Sequence, residues 1–447
     1  MASLRAPVMS GNPSSTADRN PAARRALILL TLVYVLGYAD RSIINLLLEP
    51  IKQEYRVSDT VMGLVTGLGF TAFQTILGLP VARWADNARR VAILAGGLLL
   101  WSIMTGLSGL ATSALLLAVA RMGVGVGEAC LTGPSHSILS RLYSKADRPR
   151  AFSIMAAGAE VGVILALLVG GWVNHVWGWR AAFLVAGLPG IVLAVVIWFF
   201  LEEPGHDGLP EEAASQPVPL GQAVAALVSR RSYVIAVLAS MAMGLNIFGL
   251  QVWAPAYLNR IYHLDIAAIG ITIACLRAVL SVTGAVTGGT LTSWCAHRYG
   301  QRWLMLTPAW ICGLSGLTLI GFLFAPGLVP AIVMLGLTNM LIGAQLGPSF
   351  SLVQSVAPLH SRALAAALFV SLTQLAGMGI GAFLIGLASD ALHGAHGAEA
   401  LRYAMLIPAA GAIVGGLLYA LGSLHVERDI ESAEAGNGAN ASVKEPS

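Results

Sequence analysis

The sequence has few charged residues and almost no lysine. Of its 447 residues, 11% are charged and 56% are hydrophobic, whereas about 25% charged residues are usual in a soluble domain. Only three residues are lysines, Lys52, Lys145 and Lys444, and none follows a glycine. This argues against a phosphate-binding loop with its lysine. The composition therefore excludes an ordinary cytosolic enzyme, and an ATP-driven pump within this chain is not expected.

Cysteine is also scarce. The four cysteines lie at wide, irregular spacings within or beside apolar runs. Such spacing indicates neither a metal site nor a disulfide framework. The net charge of +4 is modest, and membrane topology explains it without a nucleic-acid partner.

Long apolar runs are what the sequence has in abundance. A helix needs about 20 apolar residues to cross the hydrocarbon core of a bilayer. Breaks read from charged residues and prolines predict an all-α membrane protein with twelve spans. These spans lie near residues 25–48, 59–82, 90–110, 114–139, 151–173, 180–201, 231–258, 266–292, 302–324, 329–356, 362–391 and 400–422.

Polar segments divide the spans into domains. Residues 1–24 and 425–447 are predicted to be disordered tails, because they are rich in small and polar residues. Residues 202–230 are predicted to be a cytoplasmic linker. This linker separates an N-terminal six-helix bundle, 25–201, from a C-terminal one, 231–424.

The distribution of lysine and arginine predicts the orientation. With both termini in the cytoplasm, 18 of the 26 basic residues lie in the tails and cytoplasmic loops, and five lie on the opposite side. Basic residues are retained on the cytoplasmic side of membranes, so this bias supports cytoplasmic termini. The remaining three, Arg41, Arg121 and Arg277, fall inside spans.

The two halves of the sequence carry an internal repeat. Superposing Asp86 on His297 aligns the loops after spans 2 and 8 with an offset of 211 residues. The loops after spans 4 and 10 give nearly the same offset, because Arg150 aligns with Arg362. Two pseudo-symmetric bundles are typical of secondary transporters that alternate access to a site near the middle of the membrane.

Several motifs resemble the major facilitator superfamily: the Asp-x-x-x-Arg loop from Asp86 to Arg90, its degraded copy after span 8, and segment 178–183. Segments 38–42 and 121–129 are similar to its Spinster-like branch, which includes exporters of sphingosine-1-phosphate and transporters of lysophospholipids. The resemblance implies the superfamily's fold in a bacterial inner membrane. It also implies a monomer that needs no cofactor and uses the proton gradient.

Ionisable residues inside the spans are the strongest candidates for function. They are Asp40, Arg41, Arg121, Glu128, Glu160 and Arg277. Each costs at least about 2.5 kcal/mol at mid-bilayer, so each needs a partner, water or a function. Adjacent helix residues point about 100° apart, so Arg41 is expected to reach Glu128 on a neighbouring helix rather than to pair with Asp40.

This cluster is interpreted as a proton-sensitive switch. If Arg41 is shared between two carboxylates, protonation of one releases the arginine to the other. The resemblance assigns proton coupling to Asp40 and Glu128. Arg41 and Arg121 are expected to be the cations of the charge-pair switch. The alternative is a static salt-bridge cluster that fixes helix packing.

The second half has neutral residues at the positions equivalent to Asp40 and Glu128. The offset of 211 places Gln251 opposite Asp40 and Asn339 opposite Glu128. A purely structural device is expected in both halves, so the asymmetry favours proton handling in the N-terminal half.

Residues of the second half are expected to bind substrate. Arg277 has no acid near it in sequence, and it is interpreted as an anchor for a phosphate or carboxylate headgroup. The alternative is an arginine neutralised by a helix end or a distant acid. Asn246, Gln251 and Asn339 complete the predicted site for an amphipathic ligand, with ordinary helix packing as the alternative.

Residues of the cytoplasmic loops are expected to close that side when the protein opens outward. They are Asp86, Arg90, Arg141 and Arg150. Glu160 is expected near the cytoplasmic mouth, paired with a loop arginine. His136 is expected to be a hydrogen-bonded helix residue.

Together these features predict a proton-coupled secondary transporter of a lipid-like substrate, of lysophospholipid or sphingoid type. The alternatives are an organic-anion proton symporter of sugar-acid type, with Arg41 and Arg277 binding a carboxylate, and a broad-specificity efflux transporter. An intramembrane enzyme would need a metal-binding or nucleophile–base motif, and the sequence has neither. A non-transporting receptor would tolerate Asp40→Asn.

Overall fold

The computed structural model describes residues 21–144, 147–203, 220–358 and 361–432. Side chains at 79, 82, 83, 85–87, 220 and 363 are outside this description. Within the described ranges the regular structure is helical and contains no β-strand. The all-α fold is therefore confirmed.

The helices follow one another with short connections. The first half consists of α1 (Pro21–Leu46), α2 (Leu48–Tyr55), α3 (Asp59–Gly63), a π-helical segment (Leu64–Leu68), α4 (Gly69–Asn87), α5 (Arg90–Leu110), α6 (Ala114–Glu128), α7 (Thr132–Leu142) and α8 (Arg148–Phe200). The short α9 (Leu220–Val228) precedes the second half.

The second half consists of α10 (Arg231–Tyr262), α11 (Ile266–Leu276), a π-helical segment (Arg277–Ser281), α12 (Val282–Tyr299), α13 (Trp303–Leu323), α14 (Leu328–Val356), α15 (Arg362–Gln374), a π-helical segment (Leu375–Gly381), α16 (Ala382–His396), a 3-10 turn (Gly397–Glu399), α17 (Ala400–Ala404) and α18 (Leu406–Gly422). The π-helical segments continue the α-helices on either side, because the flanking residues keep right-handed helical φ and ψ.

Ten helical stretches in the described ranges are long and apolar enough to cross a membrane. Two of them, Arg148–Phe200 with 53 residues and Leu364–Gly422 with 59, are more than twice the ~20 residues that one crossing needs. The first turns back at Gly178, whose φ of 81° favours glycine. The second turns at Gly397, with a φ of 54°. If each of these two long stretches counts as two spans, the ten stretches give twelve crossings, in agreement with the sequence. The number of crossings stays a prediction.

The structure differs from the sequence prediction at the domain ends. α1 begins at Pro21, the predicted linker contains α9, and residues 426–432 are helical. Composition indicated a disordered tail there, but Val426 and Ile430 lie four residues apart and are both buried in the core. The rest of the predicted tails and most of the linker lie outside the described residues.

The same helix pairs recur in both halves. In the first half, α1 and α5 both pack on α8; in the second, α10 packs on the segment from α15 to α16, and α13 packs on α18. The contact of α4 with α6 likewise corresponds to that of α12 with α14. This repeated packing agrees with two pseudo-symmetric bundles.

Large apolar side chains cover the outside of the bundle. Leu115, Phe199, Trp310 and Val329 are 73% to 74% exposed. Such surfaces suit hydrocarbon rather than water. The buried charged residues lie between helices instead.

Candidate functional site

Two ion pairs are buried in the first half. Arg41 Nε donates to Glu128 Oε2 at 2.5 Å. Arg121 Nη1 lies 3.0 Å from Asp40 Oδ2, and the Thr105 hydroxyl donates to Asp40 Oδ1 at 2.7 Å. The four charged residues, Asp40, Arg41, Arg121 and Glu128, are all less than 10% exposed. We call them the charge cluster. The predicted contact between Arg41 and Glu128 is confirmed.

Helix geometry explains why there are two pairs rather than one. Asp40 and Arg41 are adjacent on α1 and point in different directions. Gly125 lets α6 pack closely on α4, because a Cβ there would lie 2.5 Å from the Phe70 carbonyl oxygen. The Phe70 ring lies between the pairs, 5.4 Å from Arg41 Cζ and 5.6 Å from Arg121 Cζ. Phe70 thus stabilises both cations through its π face, a role that sequence reasoning missed.

Arg41 is not shared between two carboxylates in this conformation, because each arginine has its own acid. Some polar atoms of the cluster are nevertheless unused. Glu128 Oε1 and Arg121 Nε and Nη2 are buried and have no hydrogen-bond partner among the described residues. These atoms can accept or donate further bonds if one carboxylate is neutralised.

A pair of amides connects the charge cluster to the second half. Gln74 Nε2 lies 3.4 Å from Glu128 Oε2, and Gln374 Nε2 donates to Gln74 Oε1 at 3.3 Å. Gln74 is on α4 and Gln374 is on α15. A change at Glu128 can therefore reach the facing bundle through two hydrogen bonds.

A cavity lies where the two halves face each other. Its volume is about 40 Å³, room for a few water molecules. The lining is mostly apolar, and five polar residues complete it: Ser42, Asn45, Gln251, Arg277 and Asn339. Three of the four predicted substrate-binding residues are thus brought together. Asn246 is fully buried and is not among the lining residues of this cavity.

Arg277 has an acidic partner from the other half of the protein. Its Nη2 lies 2.9 Å from Glu160 Oε2, and the side chains are 18% and 47% exposed respectively. The prediction that Glu160 pairs with a loop arginine is wrong, because α8 packs on α11 and brings Glu160 to the start of the π-helical segment. Arg277 Nε remains buried without a hydrogen-bond partner in the described ranges.

A second set of charges joins the halves at the side that the basic residues assign to the outside. We call Glu49, Lys52, Asp59, Arg260 and Asp390 the outer cluster. Arg260 Nη2 lies 2.8 Å from Glu49 Oε2 and 2.7 Å from Asp59 Oδ1. Lys52 Nζ lies 2.6 Å from the same Asp59 oxygen. Sequence reasoning treated these bases only as topology signals and missed the cluster.

Backbone contacts strengthen this outer closure. The Asp390 carboxylate accepts hydrogen bonds from the backbone N–H groups of Asp59 and Thr60, at 3.0 and 2.8 Å. A Cβ at Gly63 would lie 2.5 Å from the Ala382 carbonyl oxygen. Because α3 and α16 pack this closely, the protein is closed on the outer side.

Another outer ion pair lies within the first half. Arg180 Nη1 contacts Glu54 Oε1 at 2.5 Å, and Trp179 Nε1 donates to Glu54 Oε2 at 2.6 Å. The hydrogen bond from Arg180, followed by that from Trp179, lowers the pKa of the Glu54 carboxyl. This pair does not join the halves and serves as a control for the outer cluster.

The predicted cytoplasmic gate residues lie near the ends of α4, α5, α7 and α8. Arg90 is buried and contacts Ser137 of its own half at 2.8 Å and Glu203, just after α8, at 3.3 Å. Arg141 is in the last turn of α7, and Arg150 is in the first turn of α8. The side chain of Asp86 lies outside the described residues. Their gating role stays a prediction.

His136 makes ordinary helix contacts. Its Nε2 lies 3.3 Å from the Tyr34 hydroxyl, and its ring packs on Phe152 with centroids 5.0 Å apart. The prediction of a hydrogen-bonded helix residue is confirmed.

Comparison with known proteins identifies the family. The family model described as Major Facilitator Superfamily matches residues 30–382. The chain belongs to the major facilitator superfamily. As a superfamily member with many apolar membrane-length helices, it is a transporter rather than an enzyme, and an integral protein of the inner membrane.

Individual relatives match nearly the whole chain. A Mycolicibacterium smegmatis protein named MFS-type efflux pump is 30% identical, covering 93% of this chain and 96% of that protein. The sphingosine-1-phosphate transporter SPNS2 of Xenopus tropicalis is 23% identical, covering 95% and 86%.

A solved structure has the same fold. The crystal structure of a bacterial homologue of the human lysosomal transporter Spinster gives a TM-score of 0.83 at 24% identity, covering 92% of this chain and 98% of that one. Together with the SPNS2 relative, this structure confirms the resemblance to the Spinster-like branch.

Proposed function

We propose that the chain is a proton-coupled transporter of an amphipathic, lipid-like anion, such as a lysophospholipid or a phosphorylated sphingoid. The observation that carries the substrate class is the cavity between the halves. Its lining is mostly apolar, and it includes the cationic side chain of Arg277, which is paired with Glu160. Apolar walls suit a hydrocarbon chain, and a guanidinium suits a phosphate or carboxylate.

Glu160 acts in this proposal as a substitute for the anionic headgroup. It is half-exposed and holds Arg277 across the interface between the halves. A substrate phosphate or carboxylate would replace Glu160 on Arg277 and release this connection. The cavity volume is only about 40 Å³. Breaking the Arg277–Glu160 ion pair would let the two halves move apart and make room for the hydrocarbon tail of the substrate.

The energy source in this proposal is the proton gradient. The charge cluster has two carboxylates and two guanidiniums, so its net charge is zero when both acids are ionised. Protonation of Glu128 or Asp40 leaves one arginine uncompensated in a low-dielectric site. This is costly, so the helices rearrange until the cation finds another acceptor. The hydrogen bonds through Gln74 and Gln374 would carry that rearrangement to the second bundle.

The substrate class is tested by uptake into proteoliposomes containing the purified chain. We expect saturable, pH-gradient-dependent uptake of a lysophospholipid or a sphingoid phosphate and none of a sugar acid. Saturable uptake of a sugar acid without any response to the lipids would contradict the lipid assignment.

Variants of the Arg277–Glu160 pair test the headgroup site. Arg277→Gln is expected to weaken binding of the anionic lipid by about tenfold or more, because a charge-assisted hydrogen bond is lost. Glu160→Gln is expected to strengthen binding, because the competing carboxylate is removed. Equal lipid affinity in wild type and both variants, measured by tryptophan fluorescence titration, would contradict this site.

A broad-specificity efflux transporter is the second candidate. The apolar majority of the cavity lining favours it, as does the similarity to a protein named an efflux pump. Such a transporter would export cationic or neutral amphipaths, and Arg277→Gln would leave that export unchanged.

A further inference from the structure

Asn45 is the most unusual polar residue of the cavity. It lines the cavity from α1, in the first half, and only 2% of its surface is exposed. Both polar atoms of its side chain, Nδ2 and Oδ1, are buried and have no hydrogen-bond partner among the described residues. A buried amide without partners is unfavourable unless a ligand or water satisfies it.

We propose that Asn45 is a specificity-determining residue that binds a hydroxyl or amide group of the substrate, next to the anion held by Arg277. The assignment rests on the proposed function, because it concerns the same cavity. It adds a neutral polar group to the chemical class of the substrate: an amphipath with an anion and, beside it, a group that both donates and accepts hydrogen bonds.

The chemistry of the amide supports this class. An asparagine offers a carbonyl acceptor and an N–H donor side by side. A hydroxyl or amide satisfies both atoms, whereas a phosphate or carboxylate only accepts and leaves Oδ1 unsatisfied. An anion alone would therefore accept a hydrogen bond from Asn45 Nδ2 and leave Oδ1 without a donor.

The position of Asn45 gives this contact a mechanical consequence. Asn45 belongs to the first half and Arg277 to the second, so a headgroup bound to both spans the interface between the bundles. Asn45 also lies four residues after Arg41, one turn along the same face of α1 and about 6 Å along its axis. Substrate bound at Asn45 is thus one helix turn from the Arg41–Glu128 pair.

The test compares two probes of equal chain length, an alkyl phosphate and an alkyl glycerol phosphate that carries hydroxyls beside the phosphate. We expect the wild-type chain in detergent to bind the hydroxyl-bearing probe about tenfold more tightly. Asn45→Leu, which keeps the volume and removes the amide, is expected to bind both probes equally. Thr307→Val is the matched control: Thr307 Oγ1 is also buried without a partner but does not line the cavity, so the preference should persist.

A second variant covers the case in which Asn45→Leu does not fold. Asn45→Asp keeps the shape and polarity but places a carboxylate near the anion, so it is expected to weaken binding of both probes by about tenfold or more. Equal binding of the two probes by wild type would overturn the Asn45 assignment and leave the proposed function standing, with water satisfying the amide. Binding of neither probe by wild type would contradict the proposed function, and the Asn45 assignment with it.

Discussion

Glu128→Gln is expected to abolish uptake driven by a pH gradient, by at least about a hundredfold, while counterflow exchange of substrate is partly retained. The glutamine cannot take up or release a proton, so no proton moves with the substrate. Exchange needs only that the substrate-bound protein alternates between its inward-open and outward-open states, and this step does not require deprotonation of residue 128. Asp40→Asn is expected to abolish gradient-driven uptake and to keep part of the exchange in the same way, since Asp40 is the other carboxylate of the charge cluster. Both activities are measured in one preparation of proteoliposomes.

The control for this prediction is Glu54→Gln. It also removes a carboxylate paired with an arginine, but Glu54 is outside the membrane-spanning helices. Uptake should stay within about twofold of wild type, because exposed ion pairs contribute little. Unchanged gradient-driven uptake in both Glu128→Gln and Asp40→Asn would contradict proton coupling by these residues. Equal loss of uptake and exchange would instead support a static salt-bridge cluster.

Arg260→Gln is expected to shift the protein from the outer-closed state towards an outward-open state. Arg260 contacts both Glu49 and Asp59 across the halves. The pairs of Arg260 are largely buried, and their loss costs about 3 kcal/mol, which changes the ratio of the two states by about a hundredfold. Without the arginine, the acids of the outer cluster also repel one another. The distance between spin labels at Gln53 and Ala398, measured by pulsed electron resonance in a cysteine-free background, should therefore lengthen.

The matched control is Arg180→Gln. This change removes an outer arginine whose acidic partner, Glu54, is in the same half. The distance between the two labels should therefore stay as in wild type. An Arg260→Gln protein with the wild-type distance distribution would show that the outer cluster does not hold the halves together.

The helical fold and its two halves were predictable from the sequence because they depend on local properties. Apolar runs of membrane length define helices, and the offset between Asp86 and His297 reveals the repeat. The turn at Gly178 lies in the predicted break between spans 151–173 and 180–201. Composition was a weaker guide at the ends: Val426 and Ile430 are buried although the segment around them is polar.

The functional site was predictable only in part. The contact of Arg41 with Glu128 followed from helix periodicity, because Asp40 and Arg41 cannot face the same way. The contact of Arg121 with Asp40 depends on how α6 is rotated against α1, which no local pattern encodes.

Contacts between the halves were beyond the reach of the sequence pattern. The repeat relates the halves by symmetry but does not say which residues meet at their interface. For that reason the partner of Arg277, Glu160, was assigned elsewhere. Arg260 was counted only as a base of the outer side, although it contacts two acids of the facing bundle.

Proton movement caused by substrate alone is the decisive test of proton coupling through Glu128. The chain is reconstituted in vesicles that contain a pH-sensitive dye, without an imposed gradient, and a lysophospholipid or sphingoid phosphate that the uptake assay identifies is added outside. We expect a change of internal pH in wild type and in Glu54→Gln, and none in Glu128→Gln. Substrate entry into wild-type vesicles at constant internal pH would contradict proton coupling.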